Sequence, residues 1–341
     1  MFNEIVRDVY QIEVPLADSP LKATNAYLIK SAKGRHLLID NGFNQPEARR
    51  SLLESLDALK VRLEEVDFFI THAHADHCGL TSVLCENAAS TVWSGGEDSA
   101  IIRETMLAPQ RADSFLGLND YWDGIFLYMG KHGVPRAVLE KLALDHPAKA
   151  YSMDAPVDFS IAGEGDVLEY GRFRLRVISV PGHSPGHLAL YDEREKIFFA
   201  GDHILSNITP NIASWGKYFD YLRQYLGSLD KAARMDIALT LPGHRVVIRD
   251  TAGRIAELKK HHAGRLDEVR GILKGSARPL TAYAVAAQMR WALRYRDWEE
   301  FPAPQKWFAA GEASTHLLYL EGLGELRAED TGDLYLYSCN C

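Results

Sequence analysis

Positive charge, cysteine and long apolar runs are all scarce in this chain. Lys and Arg number 38 against 46 Asp and Glu, a formal net charge of −8. A protein that lives on nucleic acid needs a basic face to neutralise phosphate, so this balance argues mildly against such a partner without excluding a local basic patch. The four cysteines, Cys78, Cys85, Cys339 and Cys341, do not make the disulfide framework of a small secreted domain. No stretch reaches the ~20 apolar residues that span a bilayer, so no membrane partner is expected. The start MFNEIVRDVYQIEV lacks the basic-then-apolar pattern of a secretory signal. A cytoplasmic location is the default expectation. Neither an internal repeat nor a low-complexity tract is present.

What remains is an ordinary globular composition, 47% apolar and 25% charged over 341 residues, enough for one large domain and a small one. The first part reads as β-rich. Residues 9–15 alternate in places, and 26–29 and 36–39 flank the turn Ser31-Ala32-Lys33-Gly34, a hairpin signal. Leu52, Leu53, Leu56 and Leu59 form a helical stripe within 45–60.

One local design then recurs four times. An apolar strand stops in a polar loop that carries His or Asp. Phe68-Phe69-Ile70 runs into Thr71-His72-Ala73-His74-Ala75-Asp76-His77. Residues 175–180 run into Pro181-Gly182-His183, 197–200 into Gly201-Asp202, and 237–241 into Pro242-Gly243-His244. Four strand ends delivering ligand-type residues imply one site at a sheet edge, carried on rigid elements.

Residues 99–150 differ. Helices are expected over 100–106, 121–131 and 137–144, with Phe115, Leu118, Tyr121, Trp122, Phe126, Tyr128 and Met129 as large apolar groups. This reads as a helical insertion (100–150) able to roof the site. After Arg254, Ile255, Leu258, His262, Leu266, Val269 and Ile272 follow helical spacing. Further helices are expected over 281–293 and 309–323, then a hairpin from 325–327 and 334–337 around Asp330-Thr331-Gly332. Helices followed by a hairpin resemble a winged-helix module. The expected domains are therefore 1–253, catalytic, and 254–341, winged-helix-like.

The chemistry starts with the His72–His77 loop, three imidazoles and a carboxylate in six positions. Residues two apart in an extended loop point the same way, so His72 and His74 can grip one ion, and Asp76 and His77 another. Imidazole and carboxylate suit zinc, and also iron or manganese. A solvated His cluster is the competing reading, but crowded imidazoles repel when protonated and need a reason to converge. His183 and His244 each follow Pro-Gly, a turn that lets the backbone pass close to an ion. Asp202 can bridge two cations with its two oxygens. Two cations ~3.5–4 Å apart lower the pKa of a shared water toward neutrality, giving a hydroxide that can attack a polarised carbonyl. Asp76 can orient that hydroxide and move its proton.

The series HAHADH, PGH, GD and PGH resembles the metallo-β-lactamase superfamily, especially its hydroxyacylglutathione hydrolase (glyoxalase II)-like branch, over roughly residues 10–250. The resemblance implies an α/β fold, an αββα sandwich of two mixed sheets with helices outside and two divalent metal ions at one rim, zinc or else iron or manganese. It implies His72, His74 and His183 on the first ion, Asp76, His77 and His244 on the second, and Asp202 between them. It implies that Asp40, in Leu38-Ile39-Asp40-Asn41-Gly42, hydrogen-bonds a ligand imidazole. The tail resembles the winged-helix appendage of some members. The basic residues that hold glutathione in true hydroxyacylglutathione hydrolases find no counterpart, and the stretch from His77 to His183 is longer than in compact members.

The expected activity is hydrolysis of a small thioester, ester or lactone, with a small-molecule acyl substrate as partner. A winged-helix-assisted endoribonuclease and a β-lactamase are the alternatives. For the first, Lys259, Lys260, Arg265 and Arg270 could line one helix, although acids are interleaved. Tyr121, Trp122 and His203 are candidate substrate contacts, against a packing role for each. His187 reads as support rather than a ligand, and Cys78 as buried packing. The loop 205–215 carries no specificity signature. The oligomeric state stays open, with a homodimer through the tail as one arrangement.

Overall fold

The computed structural model describes residues 2–17, 19–86, 89–107, 120–145, 151–214, 219–292 and 295–340. Phe115, Leu118 and Cys341, named above, lie outside the described residues, as do the last positions of the loop 205–215 and of the helix expected over 281–293. The chain divides into two compact units.

Unit 1 comprises Met1–Leu107, Pro147–Pro210 and Ser228–Ile255. Its first sheet takes seven strands in chain order: β1 (Phe2–Val6), β2 (Val9–Pro15), β3 (Ala23–Ile29), β4 (His36–Ile39), β5 (Val66–Ile70), β6 (Val92–Gly95) and β7 (Phe159–Ala162). Strands β1 to β4 pair antiparallel and β4 to β7 parallel. Parallel neighbours need a crossover, and α1 (Pro46–Ala58) connects β4 to β5, burying Leu52 and Leu56. Short helices α2 (Ala75–Cys78) and α3 (Thr81–Cys85) follow β5, and α4 (Gly96–Leu107) follows β6.

The second sheet runs β12-β11-β10-β9-β8, from β8 (Val167–Tyr170), β9 (Phe173–Ser179), β10 (Leu188–Asp192), β11 (Ile197–Gly201) and β12 (Leu239–Pro242). Only β11 and β12 pair parallel within it. The alternation in β9 sends Phe173, Leu175 and Val177 inward. There they meet Ile29, Leu37, Ile39 and Phe69 of the first sheet in one apolar core, with Tyr27 set edge-on to Phe199 at 5.8 Å. Each large side chain so buried contributes about 1.5–3 kcal/mol. This is the expected two-sheet sandwich of mixed α/β class.

Unit 2 comprises Ala108–His146, Asn211–Gly227 and Ala256–Cys341. It includes α5 (Asp120–Lys131) and α6 (Arg136–Asp145), then the start of α7 (Tyr221–Ala233) and most of α8 (Thr251–Gly275). After these come α9 (Ala282–Ala286), α10 (Ala303–Gly322) and the antiparallel hairpin β13 (Leu326–Asp330) and β14 (Tyr335–Cys339). Phe126 of α5 packs on Trp307 of α10, ring centroids 5.2 Å apart. Leu280 pairs with Tyr337, adding a third edge to the hairpin.

The helix expected over 281–293 is much shorter. Thr281 caps α9 by accepting from the Ala284 amide, but the Trp291 indole donates to the Ala286 carbonyl at 2.8 Å and the Arg290 amide to Glu268 at 2.6 Å. The Ala286 carbonyl and the Arg290 amide would otherwise pair with each other in a helical ladder, so tertiary bonding overrides local propensity. Conversely, α10 starts six residues earlier than its apolar spacing suggests, at Ala303, because Pro302 at its cap is compatible with a helix start.

Candidate metal centre

Within each sheet the strand pairings bring the polar loops out side by side. In the β4–β5 pair Ile39 lies beside Phe69, so Asp40 emerges next to Thr71. In the β11–β12 pair Gly201 lies beside Pro242, so Asp202 and His244 leave the sheet as neighbours. These are carboxyl ends of parallel strands, where open α/β sheets commonly build their sites.

Two groups of donors form. His74 Nδ1 lies 3.0 Å from His72 Nε2 and 2.9 Å from His183 Nε2. In the second group His244 Nε2 is 3.2 Å from Asp76 Oδ2 and 3.3 Å from His77 Nε2. Asp202 stands between them, with Oδ2 at 3.7 Å from His183 and 3.5 Å from His244, and Oδ1 at 3.5 Å from His77. All seven residues singled out in the sequence are thus brought together. Among the described residues, three trios place one donor atom each within 4.8 Å of the others: His72, His74 and His183; His72, His77 and Asp202; Asp76, His77 and His244.

The remaining ring nitrogens set the tautomers. His77 Nδ1–H donates to Asp40 Oδ2 at 2.7 Å and His244 Nδ1–H to the Ala23 carbonyl at 2.8 Å. Thr71 gives its hydroxyl to Asp40 at 2.8 Å, so it accepts from His72 Nδ1–H at 3.0 Å. In these three rings Nε2 therefore presents a lone pair inward. Asp40 holds this bonding at φ 58, a left-handed conformation for a non-glycine residue, of the kind that surrounding contacts must sustain.

The electrostatics fit cations. Burial, reinforced by His183, lowers His74 to about 3. Burial, with His77 next, holds His72 well below the ordinary range. Burial also pulls down on His77 and His244, yet Asp202 and its companion carboxylates raise both, His244 strongly. Two lone pairs facing at 3.3 Å among carboxylates need a positive charge between them, and without another cation a proton fills that role. A donor set of five imidazoles and two carboxylates suits divalent metal ions. Close packing agrees. A side chain at Gly243 would meet Asp202 Oδ1 at 2.5 Å and His77 Cε1 at 2.6 Å, so only glycine passes there.

Several supports carry no local sequence signal. Thr24 donates to the Asp76 carbonyl at 2.8 Å. Asn25 and Tyr27 both donate to Pro242, at 3.0 and 2.8 Å, holding the turn before His244. Asp98 accepts from both ligand-bearing loops, through the amides of Ala73 and Gly186 and the Ser184 hydroxyl. Burial raises the Asp98 carboxyl to about 6 against those three donors. His187 stacks on His72 with centroids 4.8 Å apart, and its Nε2 accepts from the Asp202 amide at 3.1 Å. Cys78 is buried, which pushes its thiol well up. His203 is fully buried with its ring edge-on to Phe198, and burial lowers it to about 3. Tyr121 and Trp122 lie on α5 in unit 2, where Trp122 packs on Phe126 at 6.1 Å. No helix among the described residues is long and apolar enough to cross a membrane.

Comparison with known proteins agrees with this arrangement. The chain is 29% identical to the probable metallo-hydrolase YqjP of Bacillus subtilis, over 83% of this chain and 85% of that protein. It is 25% identical to the hydroxyacylglutathione hydrolase GloC of Haemophilus influenzae, over 52% of this chain and 65% of that protein. The crystal structure of a metallo-beta-lactamase family protein from Thermus thermophilus superposes with a TM-score of 0.79 at 28% identity, covering 98% of this chain and all of that one. The metallo-beta-lactamase superfamily model matches residues 20–244, and with the donor set converging at the sheet edges, this chain belongs to that superfamily.

Proposed function

We propose that the chain is a binuclear metal-dependent hydrolase that opens a small thioester, ester or lactone, in the manner of the hydroxyacylglutathione hydrolases. In this reading His72, His74 and His183 hold one divalent ion, Asp76, His77 and His244 a second, and Asp202 bridges them. Zinc is the first expectation and iron or manganese the alternatives. The convergence of seven donors in two adjoining groups, with Asp202 shared between them, carries the proposal. When bound, such a pair of ions acidifies a water and polarises a carbonyl oxygen.

The chain's own residues do the rest. Asp40 and the Ala23 carbonyl fix the tautomers of His77 and His244. Asp76, less buried than its neighbours, keeps its carboxyl ionised against burial because His77 and His244 face it. It is the group that orients the attacking water and moves its proton.

Acyl transfer is favoured over RNA cleavage by the fate of the basic residues on α8. Arg265 pairs with Glu312 and Glu268, and Arg270 with Glu325 and Asp267. With two of its four basic residues already paired to carboxylates, the stripe offers less to phosphate. The third edge at Leu280–Tyr337 supports reading the tail as winged-helix-like. Its role as a dimer contact and the cytoplasmic setting belong to the same proposal.

The test is elemental analysis of purified protein followed by a panel of acyl thioesters, lactones, a β-lactam and labelled RNA. Two ions per chain with turnover of an acyl substrate is the expected result. Two ions per chain with silence on every acyl substrate, and cleavage of RNA, would overturn it.

A further inference from the structure

Asp98 belongs to none of the donor trios, yet its side chain is bonded to both arms of the first. It is fully buried in the first turn of α4. Its Oδ2 accepts from the Ala73 amide at 2.9 Å, between His72 and His74, and from Ser184 Oγ at 2.5 Å, beside His183. Its Oδ1 accepts from the Gly186 amide at 2.6 Å. All three partners are donors, so a carboxylate satisfies them and a neutral amide cannot. The surroundings are shaped to this contact. A side chain on Gly186 would meet the Asp98 amide at 2.6 Å and Oδ1 at 2.7 Å. One on Gly95 would run into the Gly186 carbonyl, so the loop after His183 can lie against the start of α4 only because both positions are glycine.

We propose that Asp98 is a positioning residue: by tying the His72–His74 loop to the His183 loop it sets the spacing of the first metal's three imidazoles. This rests on the metal reading above. The two loops come from different sheets, β5 and β9, and a carboxylate bonded to both removes their freedom to separate. The second trio, Asp76, His77 and His244, is held by Asp40, Ala23, Thr24 and Asn25 instead, so its geometry does not depend on Asp98.

The experiment is titration of the apo-protein with cobalt(II), followed by visible absorption and by ion competition, for wild type, D98N and S184A, with thermal unfolding alongside. In D98N one oxygen becomes an NH2 that faces a donor, so at least one loop is released. Its first-site affinity is expected to fall about 10- to 100-fold with an altered cobalt spectrum, while one ion still binds with wild-type affinity. S184A removes one of three bonds and leaves the carboxylate, so it should show the same change, only a few-fold in size, and guards against a D98N that does not fold. If wild type binds two ions and both variants match it, the inference falls and the metal reading stands. If the variants lose both sites in proportion to lost thermal stability, Asp98 is merely structural and the inference falls. If wild type itself binds fewer than two ions, the metal reading and this inference fall together.

Discussion

Both units bury a cluster of histidines, and the contrast shows what makes such a cluster a metal centre. In unit 2, His316 Nδ1–H donates to the Glu312 carbonyl at 2.7 Å, and its Nε2 accepts from His262 Nδ1 at 3.1 Å. The two rings hand protons along a chain, and one ring's lone pair meets the other's proton. In unit 1, His72, His77 and His244 give their outer protons away from the centre, to Thr71, Asp40 and Ala23, so their lone pairs collide unless a cation intervenes. Carboxylates complete the difference. Asp76 and Asp202 face the inner nitrogens, whereas Glu312 turns to Arg265 and, more distantly, His261. Among the described residues, the donor trios all lie in unit 1.

The largest effect that could break this comparison is loss of Asp202, the carboxylate that stands between the two donor groups. D202A should lower kcat/KM on the substrate found by the panel by about 10³-fold, the several kcal/mol that ion-pair activation supplies, and reduce metal content below two ions per chain. H262A should leave metal content unchanged. Equal metal loss in the two variants would erase the distinction between the clusters.

A smaller change sharpens it. D40N keeps the size of the side chain that orients His77 but removes the charge, and its second-site ion affinity should fall about 10- to 100-fold. An unchanged affinity, read by competition with a chelating dye, would mean that His77 is held by packing alone.

The smallest concerns pH and unit 2. Burial lowers both His262 and His132 to about 3 in the folded protein, while each titrates near 6.5 when unfolded. Between those values the unfolded chain holds more protons, so stability is intact above about pH 6.5 and falls as pH drops toward 3. Urea midpoints should decline from pH 7.5 to pH 5, and H262Q, which cannot titrate, should decline less. Parallel slopes for the two proteins would show that His262 is not neutral in the fold.

The donors were legible because each sits at the end of an apolar strand in a short turn, where chain chemistry is local. His72, His74, Asp76 and His77 lie within six positions, and Pro-Gly or Gly precedes each of the others. Asp98, Thr71, Thr24 and Asn25 gave no such sign, since their partners lie up to 220 positions away. The helix at 281–293 misled for the same reason, because the bonds that end it come from Glu268 and from Trp291 turning back.

By itself the chain's order of apolar runs and polar turns dictates a β-rich first part and a set of His and Asp at strand ends, since those patterns act over a few residues. Only the pairing of β4 with β5 and of β11 with β12, and the packing of one sheet on the other, decides that these side chains share one centre. The tautomers follow from that packing too, because a ring nitrogen's proton goes to whichever acceptor the fold sets beside it.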